Sequence, residues 1–218
     1  MVASGLLIEL LKSIPAVENI LAAGLLVLFL KEFWLERFSF FQRRIFSRLP
    51  SVLKIAKVIL LVLIALLFTR SAIYSFAQYL VWKESDIGKF LLPPYQSIDN
   101  YINYAWHRFG KEPVFTFLFA GLVFVTFKIA NFFTTDRFFY DQEPYFASIS
   151  ILISGWPASL IVVAGALLLA TLFQLLKLFF KRPPGRFSLI YFWLPLGIFA
   201  LNFGDIIGKY IGLGQFKI

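Results

Sequence analysis

The chain has 218 residues, 60% of them hydrophobic and 15% charged, with a mean hydropathy of +0.79 and a net charge of +9. A soluble domain is nearer to half apolar and a quarter charged, and here the apolar residues fall in runs of membrane length. The absence of cysteine excludes disulfides, thiolate catalysis and iron–sulfur clusters, and the single histidine, His107, excludes a histidine-rich metal site within one protomer.

These bounds predict an all-α, polytopic helical membrane protein, one integral domain over residues 1–218, with about five transmembrane helices and additional interfacial amphipathic helices. The basic residues lie beside the apolar runs, where Lys and Arg set topology and touch anionic headgroups. Membrane lipids and other membrane-protein subunits are therefore the expected partners, and nucleic acid is not. The opening "MVASGLLIELLKSIP" lacks a basic leader and a small-residue cleavage site, so it is expected to be retained.

In chain order, residues 1–12 read as an interfacial amphipathic helix and 14–34 as the first span. Residues 31–57 carry seven basic residues against two acids, interleaved with Phe, Trp and Ile, as in a segment lying among headgroups. The second span covers 58–80. Arg70 lies about 20 Å along that helix from Lys57, an expensive depth for a charge unless it snorkels, pairs or faces water. It is expected either to reach the far interface beside Tyr74, Tyr79 and Trp82 or to pair with a carboxylate on another helix.

Pro93-Pro94 breaks the connection that follows. The stretch "SIDNYINYAWHRF" has the periodicity of a helix lying on the membrane surface, with Trp106 and His107 at the interface. The third span, 113–133, is expected to start at Pro113, where the missing N–H costs little. The next apolar run, 146–180, is too long for one perpendicular crossing. "SGWP" divides it into a short segment, 145–154, and a fourth span, 158–178. A fifth span, 188–204, carries Pro195 and ends at Gly204-Asp205, leaving "IIGKYIGLGQFKI" as an interfacial tail.

The strongest basic cluster, 31–57, places that loop in the cytoplasm and the N-terminus outside. With five spans, the second basic loop, "KRPPGR" (181–186), then falls outside, against the same rule.

Three of the twelve carboxylates, Asp136, Asp141 and Glu143, gather in eight residues. As a connector, this stretch would pair Asp136 with Arg137 and anchor the interface through Phe138, Phe139, Tyr140, Tyr145 and Phe146. As a site, Asp141 and Glu143 would hold a divalent cation, and the cation a phosphate, beside the positive end of a short helix. The run "YDQEPYFASISILISGWP" resembles the acidic loop of membrane glycosyltransferases of the GT-C fold, in which an acidic residue helps bind metal and activate the acceptor. That resemblance covers 18 residues. The family carries the loop after its first span and has many more spans, so its residue roles are not carried over. "NFGDIIGKYIG", with Asp205, is similar to the Gly-Asp segments of intramembrane aspartyl proteases and of DedA-type membrane proteins. The expected reading is a helix end whose glycines allow close packing.

The expected function is a small integral membrane subunit or accessory scaffold in an inner or comparable energy-transducing membrane. The alternative is a transferase or hydrolase acting on a lipid-linked, phosphate-containing substrate at 136–146, with Asp136, Asp141 and Glu143 as catalytic candidates. No cofactor is evident, and a divalent cation enters only with that alternative.

Overall fold

The computed structural model describes residues 24, 52–134, 140–180 and 189–213. Every described element is helical: α1 (Val52–Glu84), a 3₁₀ turn (Gly88–Leu91), α2 (Ile98–Ala105), a π-helical segment (Trp106–Gly110), α3 (Lys111–Thr134), α4 (Glu143–Ser154), α5 (Ser159–Phe179) and α6 (Ile190–Tyr210). Three helical runs, Leu53–Glu84, Ile98–Phe133 and Ser159–Phe179, are long and apolar enough to cross a membrane. The predicted span 14–34 apart from residue 24, the helix at 1–12, most of the basic segment 31–57 and Asp136 lie outside the described residues.

The bundle is built around a short helix, α4. Pro144 near its start supplies a fixed φ where no N–H donor is needed. Ten of its twelve residues are buried, so it has no solvent or lipid face. Side-chain pairings fix the direction of each neighbour. Ser148 on α4 donates to the Ala120 carbonyl of α3 (3.1 Å), while Phe124 packs on Tyr145, so α3 runs antiparallel to α4. Leu189, just before α6, meets Glu143, and Gly197 faces Ser150, so α6 runs parallel to α4. Gly165 of α5 lies against Leu196, and Phe173 against Phe192, so α5 runs antiparallel to α6 and hence to α4. Lys57 stands over Tyr145, and Leu63, Leu66 and Leu67 share a cavity with the end of α4, so α1 runs with α4.

This register gives the bundle two charged ends. Lys57, Lys128, Asp141 and Lys177 mark the first; Arg70, Glu112 and Lys209 mark the second. The separation is about 20 Å along α1 and about 24 Å along α3 at the helical rise, close to a hydrocarbon core once long side chains reach outward from its edges.

Two expectations change. The segment 98–109 is not a separate surface helix, and α3 does not start at Pro113. Ser97 caps α2 by accepting the Asp99 N–H (3.2 Å), but α2 then runs through the π segment into α3. Proline deprives the Phe109 carbonyl of its ordinary helical donor. The chain widens to an i→i−5 bond from the Lys111 N–H to the Trp106 carbonyl, and the Ser71 hydroxyl of α1 donates to the Phe109 carbonyl (2.6 Å). Tyr79, Trp82 and Phe109 pack with buried Tyr101, Ala105 and Leu92 as a second small core that holds this arm to α1.

The helix over 188–204 does not end at Gly204-Asp205 either; α6 continues to Tyr210. Gly204 is no cap. A Cβ there would lie 2.6 Å from that of Ala158, so the glycine lets α6 approach the α4–α5 turn.

Because α4 runs from the first end towards the second and α5 returns, Phe180 and Leu189, which flank "KRPPGR", both belong to the first end, where α1 begins. The described residues that border both basic clusters in the sequence thus lie at one end of the bundle, while "KRPPGR" itself lies outside the described residues.

Candidate functional site

At the first end the two described acids of the 136–146 stretch part company. Asp141 is exposed, with Lys128 Nζ 3.9 Å from its carboxylate. Lys128 also stands 5.7 Å over the Tyr145 ring, on which Lys57 approaches at the same distance. Glu143 is buried, and its Oε1 accepts the Leu189 N–H (3.0 Å). That bond ties the start of α4 to the start of α6, where helix N–H groups have no intrahelical acceptor. Phe146, expected as an interfacial anchor, is instead buried in the main core. Among the described residues no group of three or more His, Cys, Asp or Glu side chains gathers as metal ligands do. Asp205 lies within α6.

At the second end α4 stops in a turn that only glycine favours. Gly155 has φ 70° and ψ 172°, a region closed to side chains carrying a Cβ. The turn is clamped to α3 by one buried hydroxyl: the Trp156 N–H donates to Thr116 Oγ1 (2.9 Å), and the Thr116 hydroxyl donates to the Glu112 carbonyl (2.8 Å). Trp156 packs against Phe115 and Phe119.

Because α4 ends here while α1 and α6 continue, a cavity of about 390 Å³ remains between those two helices. Its apolar wall includes Leu63, Leu66, Leu67 and Leu201. Its charged lining consists of Arg70, Glu112 and Lys209, with Ser154 and Gly155 as its floor. Arg70 is held over the Tyr74 ring at 5.5 Å, and Tyr74 stacks on Phe109. Glu112 Oε1 lies 3.5 Å from where a Cβ on Gly155 would stand. Helices distant in sequence thus bring two cations and a carboxylate to the carbonyl end of a buried helix.

Among the described residues, Arg70 is the charged side chain singled out from the sequence that lines this cavity. Glu112 and Lys209 stand at ends of apolar runs, and that position is their only signal in the sequence. Thr116 gives none, being one hydroxyl within an apolar stretch. Comparison of the chain with protein-family models, with curated proteins and with solved structures finds no match.

Proposed function

We propose that the chain is a multi-pass integral protein of an inner or comparable energy-transducing membrane, acting as an accessory or scaffold subunit that packs against other membrane proteins and lipids. The observation carrying this reading is the apolar surface left uncovered. Only 6%, 17% and 17% of the apolar windows of the three membrane-length runs are buried by the rest of the chain. Leu61, Phe132, Leu168 and Phe179 are among the large side chains left exposed. In water such patches mark an interaction surface or an aggregation hazard; hydrocarbon and neighbouring helices cover them without cost.

In this reading 14–34, α1, α3, α5 and α6 are the five full crossings, and α4 lies in their midst. The first end faces the cytoplasm, since the described residues next to both basic clusters in the sequence lie there, and the N-terminus lies outside. Partners would meet the exposed faces of α1 and α5. The test is extraction into native nanodiscs without detergent, followed by mass spectrometry. A reproducible protein partner at fixed stoichiometry is expected. Recovery of the chain in the aqueous fraction would refute the membrane assignment, and recovery as a lone protomer with lipid would refute the scaffold role.

A further inference from the structure

The geometry points to a bound lipid: the cavity beyond α4 takes the headgroup of an amine-bearing phospholipid of the ethanolamine type. This inference rests on the membrane reading above and adds a specific seat to the general lipid contact. The cavity exists for a structural reason. A twelve-residue helix, about 18 Å long, sits between longer neighbours and leaves a gap where they continue.

The lining sorts into three chemistries. Arg70 and Lys209 suit a phosphodiester, Arg through its planar donor fork and Lys as a compact charge. Glu112, with the negative C-terminal end of α4 beside it, suits a primary ammonium, which donates hydrogen bonds that a quaternary choline group cannot. Leu63, Leu66, Leu67 and Leu201 offer an apolar wall for the glycerol and the first methylenes. At about 390 Å³ the space is at the small end of ligand pockets, so it admits a headgroup and the start of its chains rather than a whole lipid.

The experiment uses the full chain in nanodiscs containing equal parts of phosphatidylcholine, phosphatidylglycerol and phosphatidylethanolamine, with native mass spectrometry of the released protein. The expected result is a retained phosphatidylethanolamine several-fold above the other two. Arg70→Gln with Lys209→Gln should remove the retained lipid. Glu112→Gln should keep a phospholipid but lose the preference for the amine. Lys83→Gln, outside the cavity, should change nothing. Leu201→Trp, which fills the space without altering charge, should also remove the lipid, and helical circular dichroism of each variant guards against simple unfolding.

No preference in the wild-type chain, or a preference that survives Glu112→Gln, would overturn the inference. So would equal thermal stabilisation by tail-free phosphoethanolamine at the same concentration, which would make a free headgroup the ligand. A chain that fails to enter nanodiscs would instead count against the membrane reading itself.

Discussion

The Ser71 hydroxyl on α1 donates to the Phe109 carbonyl, the acceptor that Pro113 leaves without its helical N–H. A proline-induced vacancy in one helix is filled by a side chain from another, which joins the α2–α3 arm to α1 at the level where the helix widens. Ser71→Ala is predicted to cost about 1 kcal/mol by stranding that carbonyl. Pro113→Ala restores a backbone donor, so the double variant should lose less than the sum of the single losses. Additive losses in an unfolding titration in detergent would show that the two residues are uncoupled.

Gly155 and Gly208 make a contrasting pair. Gly155→Ala forces a Cβ into the glycine-only region and is predicted to cost about 1–3 kcal/mol. Gly208→Ala sits in a helix, where its Cβ would meet that of Leu213 at 3.6 Å, an ordinary contact. It should be neutral or stabilise by up to about 1 kcal/mol through lower unfolded-state entropy. Equal melting temperatures for the two variants would contradict the turn geometry.

Asp141 and Glu143, two residues apart, should respond in opposite ways. Asp141→Asn removes an exposed ion pair and is expected to change stability by less than about 1 kcal/mol. Glu143→Ala leaves the Leu189 N–H without its acceptor in the core, at a cost of about 1–3 kcal/mol. Glu143→Gln, which keeps a carbonyl acceptor, should lie between. Comparable yields of folded protein for Asp141→Asn and Glu143→Ala would disprove this separation.

Orientation is testable because the chain has no cysteine of its own. Cysteines placed singly at Ser47 and at Pro184 should both resist an impermeant thiol reagent added to intact cells, and one at Tyr95 should react. Labelling at Pro184 with protection at Ser47 would restore the simpler five-span count and reject α4 as the turn that brings the second basic loop back.

Much of the frame was legible in the sequence. "SGWP" divides an apolar run too long for one crossing, and the structure ends α4 at Ser154 and starts α5 at Ser159. The direction of α4 was harder to read, because twelve residues fall below the length by which a crossing is recognised. Pro113 is a sound helix-start signal, but the Phe109 carbonyl it leaves without a helical donor is met by the Ser71 hydroxyl, 38 positions before Phe109. The divergence of Asp141 and Glu143 follows from where the first turn of α4 faces, which no spacing between two acids reveals. The second charged end was visible only as Arg70, since Glu112 and Lys209 acquire meaning once α1, α3 and α6 are placed together.

The full enclosure of α4 also bears on the order of assembly. A helix with no outward face gains little from hydrocarbon alone; Ser148 and Glu143 find their partners on α3 and at Leu189. Synthesis delivers α1 and α3 before it, but a large part of its seat arrives with α6. A nascent chain ending at residue 180 is therefore expected to hold α4 insecurely, and completion of α6 to lock it. Protease cleavage near residues 140–143 should be rapid in that truncated chain and slow in the full one, and equal rates would mean that α4 settles without its last neighbour. The central helix would then be the last to become fixed, although it is neither the last made nor the outermost.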